Sequence, residues 1–168
     1  LSVKLARDKM KAKKARKAQA KVNDMLMKAD QAEVKIKNIS DPKKKEAAKA
    51  QVKAAREHAA ELHNEYANKF EGSNIALKAL RSEQIKGNIE RIQFRAKHDM
   101  ASAEDMERAA KLAQDRKEVN AEIEQATSDA EQKIKDAEEK DGKSTEAPEA
   151  TAEEPTTSAK DTKDDVKD

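Results

Sequence analysis

Nine basic residues, Lys4, Arg7, Lys9, Lys11, Lys13, Lys14, Arg16, Lys17 and Lys21, fall within the first 21 positions, against one acidic residue, Asp8. A cation cluster of this density binds polyphosphate by releasing its counterions, and is drawn to acidic protein faces by the same field. Four readings stay open for it. It docks on an acidic protein surface, this chain's own carboxyl-terminal part included; on a nucleic-acid backbone; on an anionic membrane; or it is merely a solvated helix end. Only Leu1, Val3, Leu5 and Met10 supply apolar bulk here, so insertion into lipid would be shallow. The segment holds no aromatic on which bases could stack.

A second set of candidates lies further along. Ile85, Ile89 and Ile92 form the most hydrophobic stripe of the chain, a packing or partner surface. Phe94 stands two positions past it, among Lys86, Arg91, Arg95 and Lys97. An aromatic off the stripe reads as a partner anchor; ordinary charge balance is the plainer account of its basic neighbours. Met25, Leu26 and Met27 make an adaptable apolar patch that seam packing or a partner groove would explain.

Other chemistries lack their residues. His58 and His63 are five apart, about 500° round a helix, and neither they nor His98 sit in a helical metal-binding spacing. Carboxylates are many but interleaved with Lys and Arg, and a thin helical rod has no cleft to perturb a catalytic pair. The three glycines are 15 and 55 residues apart, so no phosphate loop forms, and no serine sits in a nucleophile elbow. There is no cysteine. The expectation is a chain without enzymatic activity, metal or cofactor.

The elements that would position these residues are helices. Ala18, Val22, Met25, Ala29, Ala32, Ile36 and Ile39 alternate in steps of four and three, a heptad seam on a helix over about 1–37. Asn38 is placed to end it in the left-handed conformation. Asp41 as N-cap and Pro42 at the first helical position restart the chain. A second seam, Ala48, Val52, Ala55, Ala59, Leu62 and Tyr66, predicts a helix over about 42–70 folded antiparallel on the first. Leu62, Tyr66 and Phe70 thicken its far end, where a third element would dock. Gly72 reads as the stop, with Ser73 or Asn74 as the next N-cap. The segment 73–140 predicts helices over about 74–98 and 103–140, with one bent helix as the alternative. Gly87 marks a close contact or a flexible point, and Ser102 with Asp105 resembles a capping box. Leu112, Val119, Ile123, Ala126, Ala130, Ile134 and Ala137 carry the stripe onward.

The fold class expected is therefore all-α and coiled-coil-like. A basic antiparallel hairpin over 1–71 is followed by a long helical segment over 73–140. From 141 to 168 the composition turns to Thr, Ser, Glu, Pro, Lys and Asp, a disordered acidic tail on composition. The totals support thin helices rather than a large core. Of 168 residues 42% are charged and 36% hydrophobic, and 31 of the hydrophobic positions are alanine. Leu, Ile, Val and Phe together number 23, under the roughly one-fifth below which chains of high net charge stay disordered, but the net charge is only +2. A chain that folds on binding is the alternative. The small net charge hides a polarity: residues 1–45 carry 15 basic and 5 acidic side chains, residues 118–168 carry 7 and 17.

This composition excludes an α/β enzyme, a β-sandwich and a membrane-spanning chain. No run approaches the ~18 apolar residues of a transmembrane helix, and no secretory signal opens the chain. Its start at Leu1 rather than Met points to a processed, truncated or offset terminus. The expected function is a non-enzymatic scaffold, adaptor or spacer in a larger assembly, acting with protein partners or further copies of itself. Viral scaffolding and virion-internal proteins share this composition, so a soluble, cytoplasmic or virion location is expected. The alternative is a protein that binds nucleic-acid backbone through the basic first helix. A third reading rests on layout: a basic helical hairpin followed by an acidic carboxyl-terminal part resembles ESCRT-III-type proteins, which implies a membrane-remodelling filament.

Overall fold

A computed structural model describes residues 2–140, and these form four helices joined by short turns. They are α1 (Ser2–Ile36), α2 (Pro42–Lys69), α3 (Asn74–Lys97) and α4 (Ala103–Lys140). The described part contains no strand. The tail expected over 141–168 lies outside the described residues. At about 1.5 Å per residue α1 is roughly 50 Å long, which is why alanine-rich stripes can add up to a stable contact.

Each turn has a local cause. Asp41 caps α2, its side chain accepting from the Lys43 N–H at 3.1 Å, and Pro42 occupies the first turn. Ser73 caps α3 by accepting from the Ala76 N–H at 3.2 Å. Ser102 and Asp105 form a reciprocal capping box. The Ser102 N–H donates to Asp105 at 3.0 Å, and the Asp105 N–H donates to the Ser102 hydroxyl at 3.1 Å. The segment 74–140 is therefore two helices, not one bent one.

Two expected stops are made differently. Neither Asn38 nor Gly72 has a positive φ. The chain leaves α1 and α2 through tight bonds to the third residue back, Asn38 to Lys35 and Ile39 to Ile36, then Glu71 to Asn68 and Ser73 to Phe70. Such turns keep φ negative, so no glycine is required. The left-handed residue is Asp99, with φ 56°. Around it the Met100 N–H bonds the Arg95 carbonyl and the Asp99 N–H bonds the Ala96 carbonyl, the Schellman pattern that glycine usually completes. Asp99→Gly is expected to stabilise the protein by up to about 1 kcal/mol, measured as a higher urea midpoint at unchanged slope.

Both seams pack as their spacing predicts. Ala29, Ile36 and Val52 are buried together, with Ala32, Ile39, Ala48 and Ala55 against them. Further along, Ala15, Ala18 and Val22 meet Ala59, Tyr66 and Phe70, and there α3 docks through Ala76 and Leu80. Met25, Leu26 and Leu62 pack on this cluster, which accounts for most of the Met25–Met27 patch. A third cluster joins Leu5 and Ala12 of α1 to Ile75 and Ala79 of α3, covered by Ile123, Ala126, Ala130 and Ile134 of α4. Ala137 is exposed and takes no part in the stripe.

Helix α1 packs on both α2 and α3, and α4 packs chiefly on α3. Partners across α1 and α3 keep a nearly even offset of 60 to 62 residues: Asn23 with Glu83, Asp30 with Arg91, Glu33 with Arg95. The two helices therefore run parallel, while α2 runs antiparallel to α1 and α4 antiparallel to α3. Ser82 donating to Asn120 at 2.6 Å and Lys78 paired with Glu122 at 3.4 Å fix the second of these registers.

Candidate functional site

The basic residues of α1 divide by how the bundle uses its faces. Lys9, Lys13, Arg16 and Lys17 are exposed and, spaced by four, three and one, share one face of the helix. Lys4 is exposed beside Asp8, its ammonium 3.4 Å from the carboxylate. Arg7, Lys11, Lys14 and Lys21 are half-buried at the flanks. Lys9 reaches Glu131 of α4 at 3.6 Å, between two exposed side chains. Lys13, Arg16 and Lys17 form no ion pair with any described residue. Of the apolar side chains at this end, Leu1 lies outside the described residues, Leu5 is buried against α4, and Val3 and Met10 are half-buried. No described helix is long and apolar enough to cross a membrane.

The second candidate set lies inside the bundle. Ile85 and Ile92 are buried and Ile89 is half-buried, so the stripe packs within the chain. Phe94 is half-buried too, its ring centred 4.6 Å from that of His98 at 48°. Lys86 pairs weakly with Glu83. Arg91 and Arg95 have a different role from the one their neighbours suggested.

They close a cluster of charges. Asp30 is fully buried, which an isolated carboxylate could not tolerate. Arg91 holds it with two bonds, Nε to Oδ2 at 2.9 Å and a terminal nitrogen to Oδ1 at 3.1 Å. Arg56 of α2 donates to the same Oδ1 at 2.8 Å and also to Glu33. Arg95 donates to Glu33 at 3.2 Å and reaches the Met100 carbonyl at 3.5 Å. Three guanidinium groups and two carboxylates thus tie α1, α2, α3 and the α3–α4 turn together. Burial pushes the Asp30 and Glu33 carboxyls up. The hydrogen bonds and charges of their arginines outweigh it, so both lie below the ordinary carboxylate range.

Seven residues, about two helical turns, away on each helix, a chain of hydrogen bonds crosses the same three helices. His63 of α2 is 2.7 Å from the Gln19 side-chain oxygen through Nδ1, so Nδ1 carries the proton. Gln19 donates to Asn23 at 3.0 Å, and Asn23 donates to the Glu83 carbonyl at 2.9 Å. The other ring nitrogen of His63 faces the Gln84 amide at 3.4 Å, which it can accept only when neutral. Burial alone pushes the His63 pKa down. A histidine whose folded pKa is lowered gives stability that is complete above its unfolded pKa, about 6.5, and is lost as pH falls toward the folded value. Unfolding free energy is therefore expected to decline from pH 7 to pH 5 in the wild type, and to change much less over that range in His63→Gln. An equal change of unfolding free energy between pH 7 and pH 5 in the two proteins, from urea titrations at each pH, would refute this.

Neither cluster was visible as a site in the sequence. Gln19, Asn23, Leu26, Asp30 and Glu33 form a second four-and-three stripe on α1, beside the apolar seam. The pattern is there, but its polar members read equally well as a solvated face. Chemically the buried cluster pairs each carboxylate with two guanidinium groups, although the buried Nε of Arg56 has no hydrogen-bond partner, and its reach is structural: it fixes helix register. Among the described residues no three His, Asp or Glu side chains gather in a group that could hold a metal. No protein-family model, curated protein or solved structure matches the chain.

Proposed function

We propose that this chain is a non-enzymatic helical assembly protein, a scaffold, adaptor or spacer that docks electrostatically through the outer face of α1. The observation that carries the reading is the row Lys13, Arg16 and Lys17, exposed and without acidic partners among the described residues. Elsewhere buried charge is matched with care, at Asp30 and Glu33 above all. The described residues hold 32 Lys and Arg against 25 Asp and Glu, so the helical body is positive as a whole. Such a field steers association with an acidic face and fixes its orientation.

The test is recovery of the tagged chain from its source at moderate salt, read by mass spectrometry, beside Lys13→Glu/Arg16→Glu/Lys17→Glu. A stoichiometric protein partner lost in the variant is the expected result. The second reading, docking on nucleic-acid backbone, draws on the same exposed row and on the lack of aromatics among these residues. It predicts duplex binding whose logarithm falls with log salt at a slope near −0.9 per phosphate engaged, about −3 for three cations. That slope, with no protein recovered, would displace the first reading.

A further inference from the structure

The α1–α2 hairpin carries a groove of about 730 Å³ whose lining comes only from α1, α2 and the start of their connection. Ile36 and Val52 form its apolar floor. Lys45, Lys49 and Lys53 run along one edge in steps of four, and Lys37 stands opposite on the α1 side. Of these only Lys49 forms an ion pair with a described residue, Glu46 at 3.7 Å. The carboxylates that line the groove are Glu33, already held by Arg56 and Arg95, and the exposed Glu57.

We infer that this groove is the docking site for an acidic amphipathic helix of a partner protein. Cations four residues apart stand about 6 Å apart along α2, the repeat at which a facing helix presents carboxylates. The floor asks for apolar side chains between them, as in helix-in-groove recognition. Polyphosphate would meet the lysine ammonium groups but gain nothing from the lysine stems or from the edges of Ile36 and Val52 that reach the groove. A second copy of this chain fits less well. Its acidic helix is α4, whose apolar stripe Ile123, Ala126, Ala130 and Ile134 already lies against Leu5 and Ala12. The inference rests on the assembly reading in taking a protein as occupant, but on different residues. Some 20 residues of α1, roughly 30 Å, separate Arg16 from Ile36. A chain with both surfaces would bridge two partners.

The test uses the full chain and a fluorescein-labelled 21-residue peptide of three heptads, with Leu at a and d, Glu at e and g, and Ala elsewhere. One control replaces Leu by Ser and another replaces Glu by Lys. In anisotropy titrations at physiological salt the acidic Leu peptide should bind saturably and both controls at least tenfold more weakly. Lys45→Glu/Lys49→Glu/Lys53→Glu should weaken binding at least tenfold, and the milder triple Gln variant should weaken it in the same direction if the first fails to fold. Arg16→Glu/Lys17→Glu should leave it unchanged, so that failure of the α1 docking face and failure of the groove are told apart. The inference is overturned by no saturable binding at 100 μM peptide or by equal binding of the Ser peptide. It is equally overturned by equal affinity for a 20-base-pair duplex that competes with the peptide, or by sedimentation showing that the lysine variants abolish a dimer of the chain.

Discussion

Asp30→Ala is expected to remove about 3–5 kcal/mol of unfolding free energy. The carboxylate is fully buried and bonded by Arg91 and Arg56. Its removal leaves Arg91 charged, half-buried and without its two-bond partner. For a domain of this size the melting temperature should fall by about 10 °C or more. Most of that loss comes from the orphaned charge rather than from the net worth of the pair. Asp30→Leu combined with Arg91→Leu should therefore recover more than half of it, because both charges then leave together. Asp30→Asn should fall between, since one oxygen can still accept. Acid provides an independent check. Both carboxyls titrate below their unfolded values, so their contribution is present above about pH 4–5 and is lost as pH falls through the lowered folded values. Acid unfolding of the wild type should steepen below about pH 4, and Asp30→Asn should flatten that limb. A single Asp30→Ala variant within 1 kcal/mol of wild type would show the cluster to be solvated.

Gly87→Ala should also destabilise, by about 1–3 kcal/mol, although alanine is intrinsically the better helix former by about 1 kcal/mol. A Cβ at position 87 would stand inside van der Waals contact with the Asn23 side chain, its Cγ, Nδ2 and Oδ1 all included. That side chain is not free to swing away. It donates to the Glu83 carbonyl and accepts from Gln19, which in turn holds His63. The clash therefore breaks a chain of hydrogen bonds across three helices. Removing the obstacle should reverse the sign. In an Asn23→Ala background, Gly87→Ala should be neutral or stabilising by up to about 1 kcal/mol. Thermal or urea unfolding of the four proteins gives the cycle. If Gly87→Ala stabilises the wild type, the close approach of α1 and α3 at this point is wrong.

The two residues show why parts of the fold could be read from the chain and parts could not. Gly87 was marked by its type: a glycine inside a helix asks for a close contact or a flexible point, and the structure supplies the contact. The caps at Asp41, Ser73 and Ser102 were marked in the same way, since each depends on atoms two or three residues away. Asp99 was not marked, because an aspartate gives no sign that its φ is positive. Asp30 gave no sign either. A charge on a helix reads as solvated unless its partners are known, and Arg56, Arg91 and Arg95 lie 26 to 65 positions along the chain.

Composition and period set the helical class, the heptad seams, the element boundaries and the positions of the caps. These follow from interactions within about four residues, or from the steps of three and four that put side chains on one face. Tertiary structure decided that α3 lies parallel to α1 and packs on it through a polar second stripe, that Ile85 and Ile92 are spent inside the chain, and that the α1–α2 groove remains open. The physical reason is that an apolar seam announces itself by its own residues. A polar seam is stable only when a complementary one meets it in register, and that register is fixed by contacts about sixty residues apart.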